Sequence, residues 1–456
     1  MKEKKKIDRR EFLKLFGAGT AATAAALYGC GPRGGGPAAA REEVPTDRMT
    51  CRTAPTSGDR VSLLGYGCMR WPQLEKPAAD GNPIDQQAVD ELVDYAIAHG
   101  VNYFDTAPVY LQGFSERSTG IALKRHRREE FFIATKLSNF SNPTRENSLA
   151  MYRRSFAELQ VDWIDYYLLH SVGGGRGIET FRERFIDNGM LDFLLREREA
   201  GRIRNLGWSF HGDVAVFDYL LAMDVKWDFV QIQLNYVDWK HASERNVNAE
   251  YLYGELQRRG IPAVVMEPLL GGRLAALNDH LVGRLKERRP QQSAASWAFR
   301  FAGSRPGVLT VLSGMTYLDH LQDNIRTFSP LEPLTDGEFE LLEDTAQRLL
   351  QYPTVPCTDC NYCMPCPYGL DIPAIFRHYN RCVNEGNVPR DRQDARYREA
   401  RRAFLVGYDR SVPKLRQASR CIGCEKCVEH CPQHIRIPQQ MARIDHFVEQ
   451  LKRETL

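Results

Sequence analysis

Between about Thr50 and Gln351, short runs of β-branched and apolar residues alternate with stretches in which apolar positions recur every three to four residues. The short runs predict strands at 101–104, 131–136, 163–170, 204–209, 229–235, 263–267 and 308–313. An eighth is expected within 61–67 or just after the helix that ends near Gly100. Helical periodicity is clearest at 88–99, where Val89, Leu92, Val93, Ala96 and Ile97 share one face, and at 147–159. Strands alternating with helices argue for a parallel sheet with helices outside it. At this length a closed eight-fold α/β barrel is favoured over an open sheet. The barrel is assigned to residues 50–352, and a small, mostly helical domain to residues 353–456.

Cysteine placement gives the second domain its chemistry. Of twelve cysteines, eight form two arrays: Cys357, Cys360, Cys363 and Cys366 before Pro367, and Cys421, Cys424, Cys427 and Cys431 before Pro432. Two residues between thiolates let three sulfurs of one short loop converge on one inorganic cube, and a Cys-Pro step ends the loop. Zinc takes its four ligands as two pairs, not as a run of three plus Cys-Pro. Disulfides within such runs would force strained pairings between near neighbours. Two 4Fe-4S clusters are therefore expected. Each array is followed by a matching segment, 366–376 and 431–441, with an Ile-Pro step where a helix should begin. The intervening stretch reads helical and arginine-rich through Arg396, Arg398, Arg401 and Arg402, either a solvated helix face or a docking patch for an acidic redox partner. The arrays resemble those of two-cluster ferredoxins, which implies that the fourth cysteine crosses over: Cys357, Cys360 and Cys363 with Cys431, and Cys421, Cys424 and Cys427 with Cys366. The first array departs from that pattern, with two residues rather than three before its last cysteine.

A second resemblance lies at the expected C-terminal ends of the barrel strands, where reactive side chains of such barrels sit. Asn102-Tyr103-Phe104-Asp105-Thr106-Ala107-Pro108-Val109-Tyr110, Ala134-Thr135-Lys136 and Leu168-Leu169-His170 resemble the aldo-keto reductases, over essentially the whole barrel. That family implies a (β/α)8 TIM barrel, hydride transfer between a nicotinamide nucleotide and a small carbonyl or alcohol substrate, and Asp105, Tyr110, Lys136 and His170 as the catalytic four. The residue types suit the chemistry independently. A phenol with a pKa near ~10 is a weak acid unless a cation stabilises its phenolate, which Lys136, held by Asp105, would do. His170 would donate a hydrogen bond to the developing alkoxide. By the same resemblance Ser209 and Gln231 hold the carboxamide, Met266 lies under the nicotinamide, Pro268 and Leu269 line the pyrophosphate, and Asn324 binds adenine. Two positions depart: Phe210 stands where the family commonly has asparagine, and Gly314 and His320 replace basic residues usual around the 2′-phosphate. NADP and NAD both remain open. The substrate is not legible, although Arg70 and Trp71 lie in a loop, 69–85, that would help to choose it.

The N-terminus opens with Lys4-Lys5-Lys6-Ile7-Asp8-Arg9-Arg10-Glu11-Phe12-Leu13-Lys14 and a weakly apolar stretch of Gly, Ala and Thr, 15–28. It resembles a twin-arginine export signal over residues 1–30 and is too short to span a bilayer, which needs about 20 residues. Leu27-Tyr28-Gly29-Cys30 resembles a lipoprotein box, though tyrosine is not the usual residue there. A lipid anchor at Cys30, a flexible tether over 31–49 and a periplasmic or membrane-anchored location are the corresponding expectations; a simply cleaved or unprocessed signal is the alternative. Hydrophobic residues make up 43% of the chain and its net charge is +3, so no basic footprint suggests a nucleic-acid partner.

Joining the halves raises a conflict. Hydride moves as two electrons, whereas an iron-sulfur cluster exchanges one, and no flavin motif is visible. Export would also remove the protein from free nucleotide unless nucleotide travels out tightly bound. Two functions follow: an iron-sulfur aldo-keto reductase that exchanges electrons with a membrane-bound or soluble redox partner, or an electron-transfer subunit whose barrel is a docking module. Purely structural clusters are a third reading. Cys51, Cys68 and Cys382 are expected to be buried thiols.

Overall fold

A computed structural model describes residues 43–242 and 246–456. The expected export signal, with its Arg9-Arg10 pair and Cys30, lies outside them, as does most of the expected tether. Met49, the last residue assigned to that tether, is buried in the barrel core.

Eight parallel strands close into a barrel: β1 (Leu64–Gly67), β2 (Tyr103–Asp105), β3 (Phe132–Leu137), β4 (Ile164–Val172), β5 (Ile203–Phe210), β6 (Phe229–Gln233), β7 (Ala263–Met266) and β8 (Val308–Ser313). The least obvious strand is thus the first, within the 61–67 window. Closure joins β8 to β1 with Val311 opposite Leu64 and Ser313 opposite Tyr66. Gly65 permits it, because a Cβ there would lie 2.8 Å from Leu312 and Thr310 side-chain atoms.

The predicted helices form at Gln86–Ala98 and Arg145–Leu159. Asp85 accepts a hydrogen bond from the Ala88 amide (3.2 Å), which satisfies one orphan donor at the first helix start. Val89, Leu92, Val93 and Ala96 face inward. Inside the barrel, Tyr103, Tyr166, Leu168, Phe229, Val264 and Leu309 fill the lower layers. A hairpin of Cys51–Thr53 and Arg60–Ser62 precedes β1, and its Ala54 and Val61 pack on that filling. Apolar burial of this kind contributes roughly 1.5–3 kcal/mol per large side chain, and it leaves the polar groups only the opposite, C-terminal end of the strands.

The second domain has its own core, of Val355, Leu370, Ile375, Phe376, Phe404, Tyr408, Met441, Ile444 and Val448. Its helices run Ile372–Asn384, Tyr397–Ser411 and Ile437–Arg453, and the first and last begin at the two Ile-Pro steps. The repeat extends to the backbone. Asp359, Asn361 and Gly369 of the first array and Gly423, Glu425 and His434 of the second all have positive φ at matching positions. In the arginine stretch Arg396, Arg398 and Arg402 are exposed as a solvated face, with Arg396 paired to Glu399, whereas Arg401 turns to donate to the Leu451 carbonyl (2.6 Å). No helix among the described residues is long and apolar enough to cross a membrane.

Candidate active site

Asp105, Lys136 and His170 come from β2, β3 and β4, and Tyr110 from the loop after β2; all four are buried at the C-terminal end of the barrel. Lys136 Nζ donates to Asp105 Oδ1 (2.6 Å) and to the Thr106 carbonyl (2.8 Å). Burial raises the Asp105 carboxyl while its Lys136 partner opposes that rise. Lys136 reaches Tyr110 over the ring, 4.9 Å from its centroid, so the expected stabilisation of a phenolate acts from the ring face. Burial lifts the Tyr110 phenol well above its ordinary value, and the Asp105 charge adds to this. His170 stands edge-on to Tyr110 with centroids 5.8 Å apart. Its Nδ1 meets Ser138 Oγ at 2.5 Å, and Arg184 Nη2 donates to its carbonyl (2.7 Å). Burial, then the Lys136 and Arg184 charges, hold the imidazole well below its usual pKa and therefore neutral at pH 7.

Tyr362, between Cys360 and Cys363, reaches into this centre, close enough to Tyr110 for the two phenols to interact. The small domain therefore sits over the mouth of the barrel. Arg70 Nη2 donates to the Thr358 carbonyl (2.7 Å) and Nη1 lies 3.9 Å from Asp359. Arg273 donates to Thr354 (2.9 Å). Val355 exchanges two hydrogen bonds with the Asn380 side chain (2.7 and 2.8 Å). The second array touches the far rim: Gln433 Nε2 donates to Gln233 Oε1 (3.1 Å) and Asn246 donates to Gln433 (3.3 Å).

Arg70 thus serves this contact, and Trp71 is a packing residue, buried with its indole N–H on Thr119 (3.0 Å). Cys68 and Cys382 are buried as expected, whereas Cys51 is only half-buried because the short hairpin carrying it lies at the surface. Tyr362, Ser138 and Arg184 escaped the sequence reading, and Arg70, expected to help choose the substrate, instead holds the small domain. Only Tyr362 left a trace there, as a large aromatic inside a CxxC turn.

No disulfide joins any of the eight array cysteines. Cys431 lies close enough to Cys357, Cys360 and Cys363 for their charges to interact, and Cys427 interacts with Cys421, Cys424 and Cys366. These are the two crossed sets. Cys366, Cys421, Cys424 and Cys427 line one open pocket with Leu370, Ile437 and Met441. The Asp359 amide donates to Cys357 Sγ (3.4 Å), the kind of contact that stabilises a ligated sulfur. Burial pushes Cys357 and Cys427 up to about 11 and Cys360 to about 12, so ligation has to expel protons. Among the described residues no three His, Cys, Asp or Glu side chains converge on one ion position, whereas a cube takes one cysteine at each separated iron. The residues fit two such clusters.

The expected nucleotide contacts fit less evenly. Ser209, Gln231, Met266, Pro268 and Asn324 are buried. Ser209 Oγ accepts from the Ser171 amide (2.8 Å), and Gln231 keeps an unpartnered Oε1 beside Met266. This end suits a carboxamide. At the other end Asn324 donates to Ser313 (3.0 Å), and Gly271, two residues beyond Leu269, lies against Thr358.

A parallel eight-stranded barrel with this buried group is the architecture of an oxidoreductase. The model of the aldo/keto reductase family matches residues 63–347, and that of a 4Fe-4S dicluster domain matches residues 356–435. The chain belongs to the aldo/keto reductase family. It is 23% identical over 320 residues to the uncharacterized oxidoreductase YqkF of Bacillus subtilis, covering 66% of this chain and 97% of that one. It is 23% identical over 328 residues to a probable voltage-gated potassium channel subunit beta of Oryza sativa, covering 66% and 97%. The solved aldo-keto reductase AKR11C1 from Bacillus halodurans shares the fold with a TM-score of 0.51 at 24% identity, over 65% of this chain and 96% of that one.

Proposed function

We propose that this chain interconverts a carbonyl and an alcohol at the Tyr110 centre, with two 4Fe-4S clusters held by Cys357, Cys360, Cys363 and Cys431 and by Cys421, Cys424, Cys427 and Cys366. The observation that carries the reading is the gathering of Asp105, Tyr110, Lys136 and His170 from successive strand ends into one buried group. When bound, the clusters supply single-electron redox capacity. Tyr110 gives or takes the proton at the substrate oxygen. His170, neutral and tied to Ser138 through Nδ1, offers Nε2 to that oxygen. Asp105 fixes Lys136 against the Tyr110 ring, where its charge favours the phenolate.

In Tyr110→Phe, reduction of a panel of aldehydes and ketones should fall by about 10²–10⁴ while iron content and the cluster spectra stay unchanged. Electrons would be supplied by dithionite-reduced viologen and, separately, by NADPH. Undiminished turnover in that variant would remove the carbonyl reading. It would then favour an electron-transfer protein whose barrel is a docking module, a reading supported by the chain's own covering of the Tyr110 centre. The twin-arginine leader and lipid anchor are proposed on sequence grounds alone. Arg9→Lys with Arg10→Lys should leave the protein in the cytoplasmic fraction.

A further inference from the structure

We propose that the segment Thr358–Tyr362 is a built-in occupant of the groove that a nicotinamide nucleotide would use, so that this barrel takes up no free NADPH or NADH. Three contacts along the groove carry the inference. They stand apart from the question of which substrate is turned over.

The first is at the loop after β7, where Pro268 and Leu269 are the expected pyrophosphate lining. Gly271 has a φ of +66°, and a Cβ built on it would fall 2.2 Å from the Thr358 carbonyl oxygen and 2.4 Å from its Cα. Backbone touches backbone here. A diphosphate held by loop amides needs that face open, and it carries the strap instead.

The second is after β8. Gly314, which replaces a residue type expected to bind the 2′-phosphate, has no side chain because Arg70 lies across it: a Cβ at Gly314 would sit 3.0–3.1 Å from Arg70 Cβ, Cγ and Cδ. Thr316 Oγ1 donates to the Arg70 carbonyl (2.9 Å), and the guanidinium is spent on the Thr358 carbonyl and Asp359. The cation that lies across Gly314 thus clamps the strap. The departure from the family pattern at Gly314 and the presence of the strap are two sides of one arrangement.

The third is at the reaction centre. Tyr362 brings its phenol beside that of Tyr110, at the centre where a substrate oxygen would meet Tyr110. Opening the groove means lifting the whole loop, which Arg273, through Thr354, and Asn380, through Val355, also hold. A ligand that binds only the open form has its affinity reduced by the fraction of molecules that are open.

The test uses the full chain, purified anaerobically with its clusters loaded, as verified by electron paramagnetic resonance after dithionite. One portion is denatured in acid and base and the supernatants are assayed for NADP, NAD and their reduced forms. Another is titrated with NADPH and with NADH while nicotinamide fluorescence is followed. The expected result is no released nucleotide and no saturable change up to about 1 mM. Release of about one nucleotide per chain would overturn the proposal by showing nucleotide held beneath the strap. Saturable micromolar binding would overturn it equally. Either result would leave the carbonyl chemistry standing with nucleotide as its hydride carrier, whereas a failure of the Tyr110→Phe prediction would leave the closed groove untouched.

Discussion

Around Cys357–Cys366 and around Cys421–Cys431 the backbone follows one course, with positive φ at Asp359 and Gly423, at Asn361 and Glu425, and at Gly369 and His434. The surroundings differ. Thr358 is 1% exposed beneath Arg70 and against Gly271, whereas its counterpart Ile422 is 62% exposed. Tyr362 meets Tyr110, whereas its counterpart Lys426 points to solvent. Cys424 is exposed and Cys360 is not. One local geometry has thus been given two surroundings by what packs on it: an inner array joined to the barrel centre and an outer array open to solvent.

The largest expected effect breaks the arrays apart by their fourth ligand. Cys431→Ala should lose the inner cluster and Cys366→Ala the outer one, each with about half the iron and sulfide of the parent. The signal left in Cys431→Ala should match that left in Cys360→Ala; a match to Cys424→Ala instead would refute the crossed pairing. Next in size is an exchange of environments. Thr358→Asp places a carboxylate in the buried seam beside Asp359 and should lower unfolding stability by about 3–5 kcal/mol. Ile422→Asp should change it by no more than about 0.5 kcal/mol. Equal effects in chemical denaturation would mean that the inner array is not clamped.

The smallest concerns acid. Burial, then Arg381, lowers His378 in the small-domain core to about 4 from its ordinary 6.5, and burial, then His434, does the same for His211 at the barrel rim. Each group binds its proton more tightly in the unfolded chain. Stability is therefore full above pH 6.5 and declines as pH falls from there towards 4. His378→Gln should flatten that decline by about 1 kcal/mol between pH 6.5 and 5.5. An unchanged slope in urea titrations at the two pH values would mean that folding leaves the His378 pKa unshifted.

Most of the barrel was legible because strand and helix periods are local. The strands after β1 were placed within a few residues, and their ends delivered Asp105, Lys136, His170, Ser209 and Gln231 to one rim. The obscure strand was β1, four residues long and half glycine, where close packing against β8 leaves no room for the side chains that mark a strand. Tyr362 was missed, and Arg70 was assigned to substrate choice rather than to Thr358, because nothing near either in sequence reveals its partner: Tyr110 is some 250 positions from Tyr362, and Arg70 nearly 290 from Thr358.

Sequence by itself determined the alternation that makes a parallel barrel, the spacing of the two cysteine arrays and the residue types of the catalytic group, since each is a short-range pattern written in consecutive residues. Tertiary structure alone decided that the first array lies over the barrel mouth, that Gly271 and Gly314 are small in order to admit it, and that two arrays of equal geometry are unequal in exposure. Those outcomes depend on which surfaces exclude water together, and that is a property of the folded chain as a whole.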